Sequence, residues 1–122
     1  MTLRTTLALA TLALGATMAS AQQGVGKDDI LLGSIQDLSG PLAGFGKQAR
    51  AGMLLAVDEI NEQGGINGRK LKLNVEDSGY DPKKAVLAAQ KLVNQDKIFM
   101  MVGHIGTCLL YTSDAADERS SV

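Results

Sequence analysis
The chain has 122 residues, with 12 basic and 13 acidic side chains and a formal net charge of −1. No basic cluster and no Trp occurs, so the charge footprint and the stacking platforms of a nucleic-acid binder are both missing. One Cys excludes an internal disulfide, and one His excludes a multi-His metal site.

The N-terminus reads as an address. Arg4 and the terminal amine form a positive region, Leu7 to Ala16 a short apolar run, and Ala19-Ser20-Ala21 a small-residue cleavage pattern. Residues 1–21 are therefore expected to be a signal peptide cleaved after Ala21, which puts the mature protein in the periplasm. The apolar run is shorter than the roughly 20 residues of a membrane span and holds several Thr. No Cys follows it to carry a lipid anchor.

Residues 22–28 are polar and Gly-containing, and are expected to form a mobile leader. Ile30 to Ile35 reads as a strand buried on both faces, because its apolar run is continuous. Gln36 to Gly46 reads as a loop, with Ser39-Gly40-Pro41 as a turn and Gly44 and Gly46 permitting close backbone approach. A helix is expected from about Lys47 to Gln63. Its buried face would hold Ala49, Met53, Val57 and Ile60, with Leu54 beside them. Gly64-Gly65 ends it.

Lys70 to Glu76 alternates apolar and polar residues, which predicts a strand with one exposed face or an edge position. Asp81-Pro82 opens a second helix, Asp as cap and Pro at the first helical position. Ala85, Ala89 and Leu92, with Val86 and Val93, form its buried stripe. Ile98 to Val102 is an apolar strand that runs into Gly103-His-Ile-Gly-Thr107.

Strands alternating with helices predict an α/β fold with parallel pairing through right-handed crossovers. Ligands in such sheets bind beyond the carboxyl ends of the strands. Two loops lie there, Asp37 to Gly46 and Gly103 to Thr107. Ser39 and Thr107 are the leading ligand-binding candidates, since hydroxyls and free amides at a helix start can receive a carboxylate. Ser39 can equally be turn chemistry, and Thr107 a helix cap. Phe45 lines the pocket or belongs to the core. His104 reads first as structural, with a ligand role as the alternative.

Gly44-Phe-Gly46-Lys-Gln-Ala49 matches the dinucleotide pattern, but Gly44 lies well past the strand end and no acidic residue closes the second strand about 20 residues on. No catalytic residue, cofactor or metal site is expected. Glu76 and Asp77 adjoin in sequence, so a strand points them to opposite faces.

Five pieces carry a family resemblance: Leu38-Ser-Gly-Pro-Leu-Ala43, Ala56-Val-Asp-Glu-Ile-Asn61, Gly64-Gly-Ile-Asn-Gly68, Tyr80-Asp-Pro82 and Gly103-His-Ile-Gly-Thr107. Together they make residues 29–107 resemble the first part of the N-terminal Rossmann-like lobe of type I periplasmic solute-binding proteins. The likeness is to the Leu/Ile/Val type that serves ABC importers. It implies two α/β lobes closing over a small polar solute, an amino acid above all, and delivery to an ABC transporter permease. It further implies that Thr107 and nearby amides hold the solute carboxylate and that Phe45 touches the solute. The best-known members carry a Cys pair at the places of Tyr80 and Gly106, so that disulfide is not carried over. A ligand-sensing regulatory domain of the same fold is the alternative, ahead of an exported dinucleotide-binding enzyme.

Residues 108–122 depart from the family pattern. Cys108 to Ser113 is what the adapter sequence TGT CTC TTA TAC ACA TCT encodes, and GAC GCT GCC GAC GA continues it into Glu118. This tail is expected to be non-native, adapter-derived sequence. The partial lobe ahead of it is expected to leave apolar area exposed on its sheet.

Overall fold
The computed structural model describes residues 22–106. The expected signal peptide, Thr107 and the tail lie outside them. The elements are β1 (Asp29–Gln36), α1 (Ala43–Glu62), β2 (Lys70–Asp77), α2 (Pro82–Gln90) and β3 (Met100–Met101). The three strands form one parallel sheet in the order β2-β1-β3.

β1 is central, which explains its unbroken apolar run. Leu31 and Ile35 project to one face and, with Met101, pack on Ala85, Ala88, Ala89, Leu92 and Ile98. Small alanines let α2 approach the sheet closely. The helix then widens into a π-type turn, Lys91–Gln95, which places Leu92 in the core with no exposed surface. Asp81 caps α2 as expected, its Oδ1 accepting from Lys83 N at 2.8 Å and Lys84 N at 3.1 Å.

The opposite face of the sheet carries Ile30 and Leu32, paired in register with Leu71 and Leu73, then Ser34 with Val75. Right-handed crossovers put α1 on that side. The expected stripe of Ala49, Met53, Leu54, Val57 and Ile60 is half-buried, while Leu55 on the other side of α1 is 70% exposed. Asn61 reaches from α1 to the edge strand. It accepts from Leu71 N at 2.7 Å and donates to Leu71 O at 2.9 Å, so these edge groups are not left for another chain.

Three boundaries differ from expectation. α1 starts at Ala43, about one turn before Lys47, because Asp37 accepts from the amides just ahead of it. Gly44 and Gly46 therefore sit inside the helix rather than in a loop. β3 pairs over two residues, extended by Phe99 N to Leu31 O and Val102 N to Gly33 O, both 2.7 Å. The residues read as a mobile leader make defined contacts: Gln23 Nε2 donates to Val93 O and Ile98 O at 3.1 Å each, and Leu31 N donates to Gly24 O at 2.8 Å.

Candidate functional site
The carboxyl ends of β1, β2 and β3 bring three loops together: Asp37–Leu42, Ser78–Asp81 and Val102–Gly106. Two carboxylates organise the first two. Asp37 is fully buried, its Oδ1 accepting from Gly40 N at 2.5 Å and its Oδ2 from Leu42 N at 2.7 Å. It thus folds the chain back from β1 into α1. Gly46 completes this turn, since any Cβ there would overlap the Asp37 carbonyl.

Asp77, at the end of β2, gathers the neighbouring loops. It accepts from Leu38 N at 2.8 Å, Ser39 Oγ at 2.5 Å and Gly79 N at 2.8 Å. The Ser39 bond first, then the Leu38 amide, and to a lesser degree Gly79 and the charge of Lys84, hold its carboxyl below the ordinary value against the opposing effect of burial. An ionised carboxylate only accepts, so the Ser39 hydroxyl spends its proton on Asp77.

The third loop is tied to the last residues of β1. Ser34 and Gln36, both fully buried, replace the apolar pattern of the inward face just where this loop crosses it. Gln36 Nε2 donates to Ser34 Oγ at 2.8 Å and to the Gly103 carbonyl, which also accepts from Ser34 Oγ at 3.2 Å. Gly103 has φ +59, and a Cβ there would lie 2.8 Å from Met53 Sδ. The imidazole of His104 replaces a backbone carbonyl in the sheet ladder: its Nδ1 accepts from Ile35 N at 3.2 Å. Burial lowers the His104 pKa from its ordinary value, which keeps this acceptor neutral.

The sequence candidates therefore separate. Ser39 and His104 stand at the ends of adjacent strands, each already bonded within the lobe. Phe45 projects from the first turn of α1 and is 68% exposed, hence not core among the described residues. Thr107 lies outside the described residues. Gly44 and Gly46 belong to the first turn of α1, unlike the turn glycines of a dinucleotide site. Sequence reasoning missed Gln36, Ser34, Asp37 and the bridging role of Asp77. The available signal was polarity at inward positions of an otherwise apolar strand. Among the described residues, no group of three or more His, Cys, Asp or Glu side chains is placed to hold a metal ion, and no helix is long and apolar enough to cross a membrane.

Comparison with known proteins places this architecture. Residues 29–119 match the family model described as periplasmic binding protein. The chain belongs to the periplasmic binding protein family, in its type I form with a parallel sheet and flanking helices. It is 38% identical over 97 residues to a leucine-, isoleucine-, valine-, threonine- and alanine-binding protein of Pseudomonas aeruginosa, covering 80% of this chain and 25% of that one. It is 41% identical over 90 residues to the Leu/Ile/Val-binding protein of Escherichia coli, covering 74% and 24%. The structure of the branched-chain amino acid transporter substrate-binding protein LivJ from Streptococcus pneumoniae, in complex with isoleucine, superposes with a TM-score of 0.72 at 30% identity, covering 78% of this chain and 27% of that one. A fatty acid ABC transporter substrate-binding protein from Thermomonospora curvata superposes with a TM-score of 0.75 at 32% identity, covering 80% and 24%. The chain spans about a quarter of the length of the curated relatives it matches.

Proposed function
We propose that this chain forms the first part of the solute-binding component of an ABC importer, and that the intact protein captures an amino acid between two lobes. The observation that carries this reading is the family match over the whole described lobe to relatives named for binding branched-chain and small amino acids. The local geometry supports it: the loops after β1 and β3 are fixed by the buried side chains of Asp37, Ser34 and Gln36, and in sequence the second of them runs on to Thr107, the expected carboxylate partner.

On this reading the protein works in the periplasm after cleavage behind Ala21. A solute shifts an open–closed equilibrium because it contacts both lobes only in the closed form. The closed form is the species delivered to the membrane permease. No bond is made or broken, so the protein acts as a carrier and not as an enzyme. The experiment is a thermal-shift screen of the full-length gene product, purified from periplasm, against leucine, isoleucine, valine, threonine and alanine. A rise in melting temperature with one or more of them, and an N-terminal sequence starting at Gln22, is the expected result. No shift with any of the five, for a folded protein, would remove the amino-acid assignment.

A further inference from the structure
The inward face of β1 starts apolar, with Ile30 and Leu32, and ends polar, with Ser34 and Gln36. Both polar side chains are fully buried. Burying an amide and a hydroxyl is unfavourable unless they bond, and here both converge on one atom, the carbonyl oxygen of Gly103. The Gln36 amide cannot be turned around, because its oxygen would then face the Gly103 oxygen. Among the described residues its Oε1 is consequently left buried without a partner. Native structures hold few such groups, and each calls for a reason.

We propose that Gln36, seconded by Ser34, is a positioning residue for solute binding. It fixes the Gly103 peptide and so sets the path of the loop after β3, Val102–Gly106, at the carboxyl ends of the strands where the solute is received. Gly103 is held from three sides: by the two donors on its carbonyl, by its own left-handed backbone, and by Met53 of α1 packed where a side chain would stand. The next two residues are fastened to the same strand, His104 Nδ1 accepting from Ile35 N at 3.2 Å and Ile105 N donating to Ile35 O at 3.3 Å. The loop is thereby registered on β1 residue by residue, and a solute meets it already in place. Preorganisation of this kind raises affinity by removing the ordering cost from the binding step. The proposal rests on the solute-binding reading given above.

The test uses the full-length gene product as wild type, Gln36→Met and Ser34→Ala. Met keeps the length of Gln36 but donates nothing. Two quantities are read: amide hydrogen exchange by mass spectrometry across residues 98–107 and 70–77, and affinity for whichever of leucine, isoleucine, valine, threonine and alanine binds wild type most tightly. Gln36→Met is expected to speed exchange in 98–107 by tenfold or more, leave 70–77 within twofold, and weaken solute binding by tenfold or more. Ser34→Ala is expected to do the same to a smaller degree. A merely structural role would speed exchange in both segments together. Unchanged exchange in 98–107, or faster exchange there with unchanged affinity, would overturn the proposal. Failure of wild type to bind any of the five would instead remove the functional reading, and this proposal with it.

Discussion

Ser39 Oγ donates to Asp77 Oδ2 at 2.5 Å, and this bond joins the loop after β1 to the end of β2. Leu38 N and Gly79 N donate to the same carboxylate at 2.8 Å each, so one side chain holds two site loops. Replacing Asp77 by Ala releases three donors at once. The group is largely exposed, so the loss is discounted to about 1 kcal/mol of stability. The folded pKa of Asp77 is lowered. Its contribution is complete above the unfolded value of about 3.9 and is lost as pH falls through the folded value. Urea titrations of wild type and Asp77→Asn between pH 6 and pH 2.5 check the sign: the difference between them should shrink toward the acid end. A constant difference would assign the stability to something other than the ionised carboxylate.

His104 titrates the other loop. Burial lowers its folded pKa, and the bond from Ile35 N at 3.2 Å needs an unprotonated Nδ1. The unfolded state therefore binds the proton more readily. Stability from this group is complete above about pH 6.5 and falls as pH drops through the lowered folded value. His104→Asn keeps an acceptor that does not titrate. It should flatten the stability slope between pH 7 and pH 5, read by chemical denaturation. An unaltered slope would show that the His104 proton is not the cause.

The two helix glycines of α1 make a paired test. A Cβ at Gly44 meets nothing, whereas a Cβ at Gly46 would collide with the Asp37 carbonyl. Gly44→Ala should stabilise the protein by about 0.5 to 1 kcal/mol through helix propensity. Gly46→Ala should destabilise it by about 1 to 3 kcal/mol, since backbone must move. Thermal melts of both variants decide this, and equal effects would contradict the close approach.

The core on the α2 face depends on Leu92, which has no exposed surface, while Leu87 on the same helix is 65% exposed. Leu92→Ala is expected to cost about 2 to 5 kcal/mol. Leu87→Ala should stay within about 0.5 kcal/mol. Denaturant midpoints provide the comparison. A large effect at Leu87 would mean that the full-length protein covers it.

Much of this lobe is legible in sequence because its signals are local. The continuous run of β1, the alternation of β2 and the Asp81-Pro82 helix start each follow from a few adjacent residues, and the structure reproduces all three. The start of α1 is not legible. Gly44 and Gly46 look like loop glycines until Asp37, seven to nine residues earlier, is seen accepting from the amides ahead of the helix. The site shows the same division. Ser39 and His104 stand out by type and position, but the partners that fix them, Asp77 and the Ile35 amide, are 38 and 69 residues away. Gln36 escapes notice for a related reason: a polar residue at a strand end reads as the start of a loop unless its contact to Gly103 is known.

On the proposed function, the solute carboxylate is received at the strand-end loops through Thr107. The most direct measurement is a calorimetric titration of the full-length gene product, wild type and Thr107→Ala, with leucine, isoleucine, valine, threonine and alanine. Wild type is expected to bind near the micromolar range, about −8 kcal/mol. The variant is expected to lose roughly tenfold to a hundredfold in affinity, as removal of a charge-assisted bond entails. Equal affinity in the two proteins, or no binding of any of the five by folded wild type, would contradict this reading.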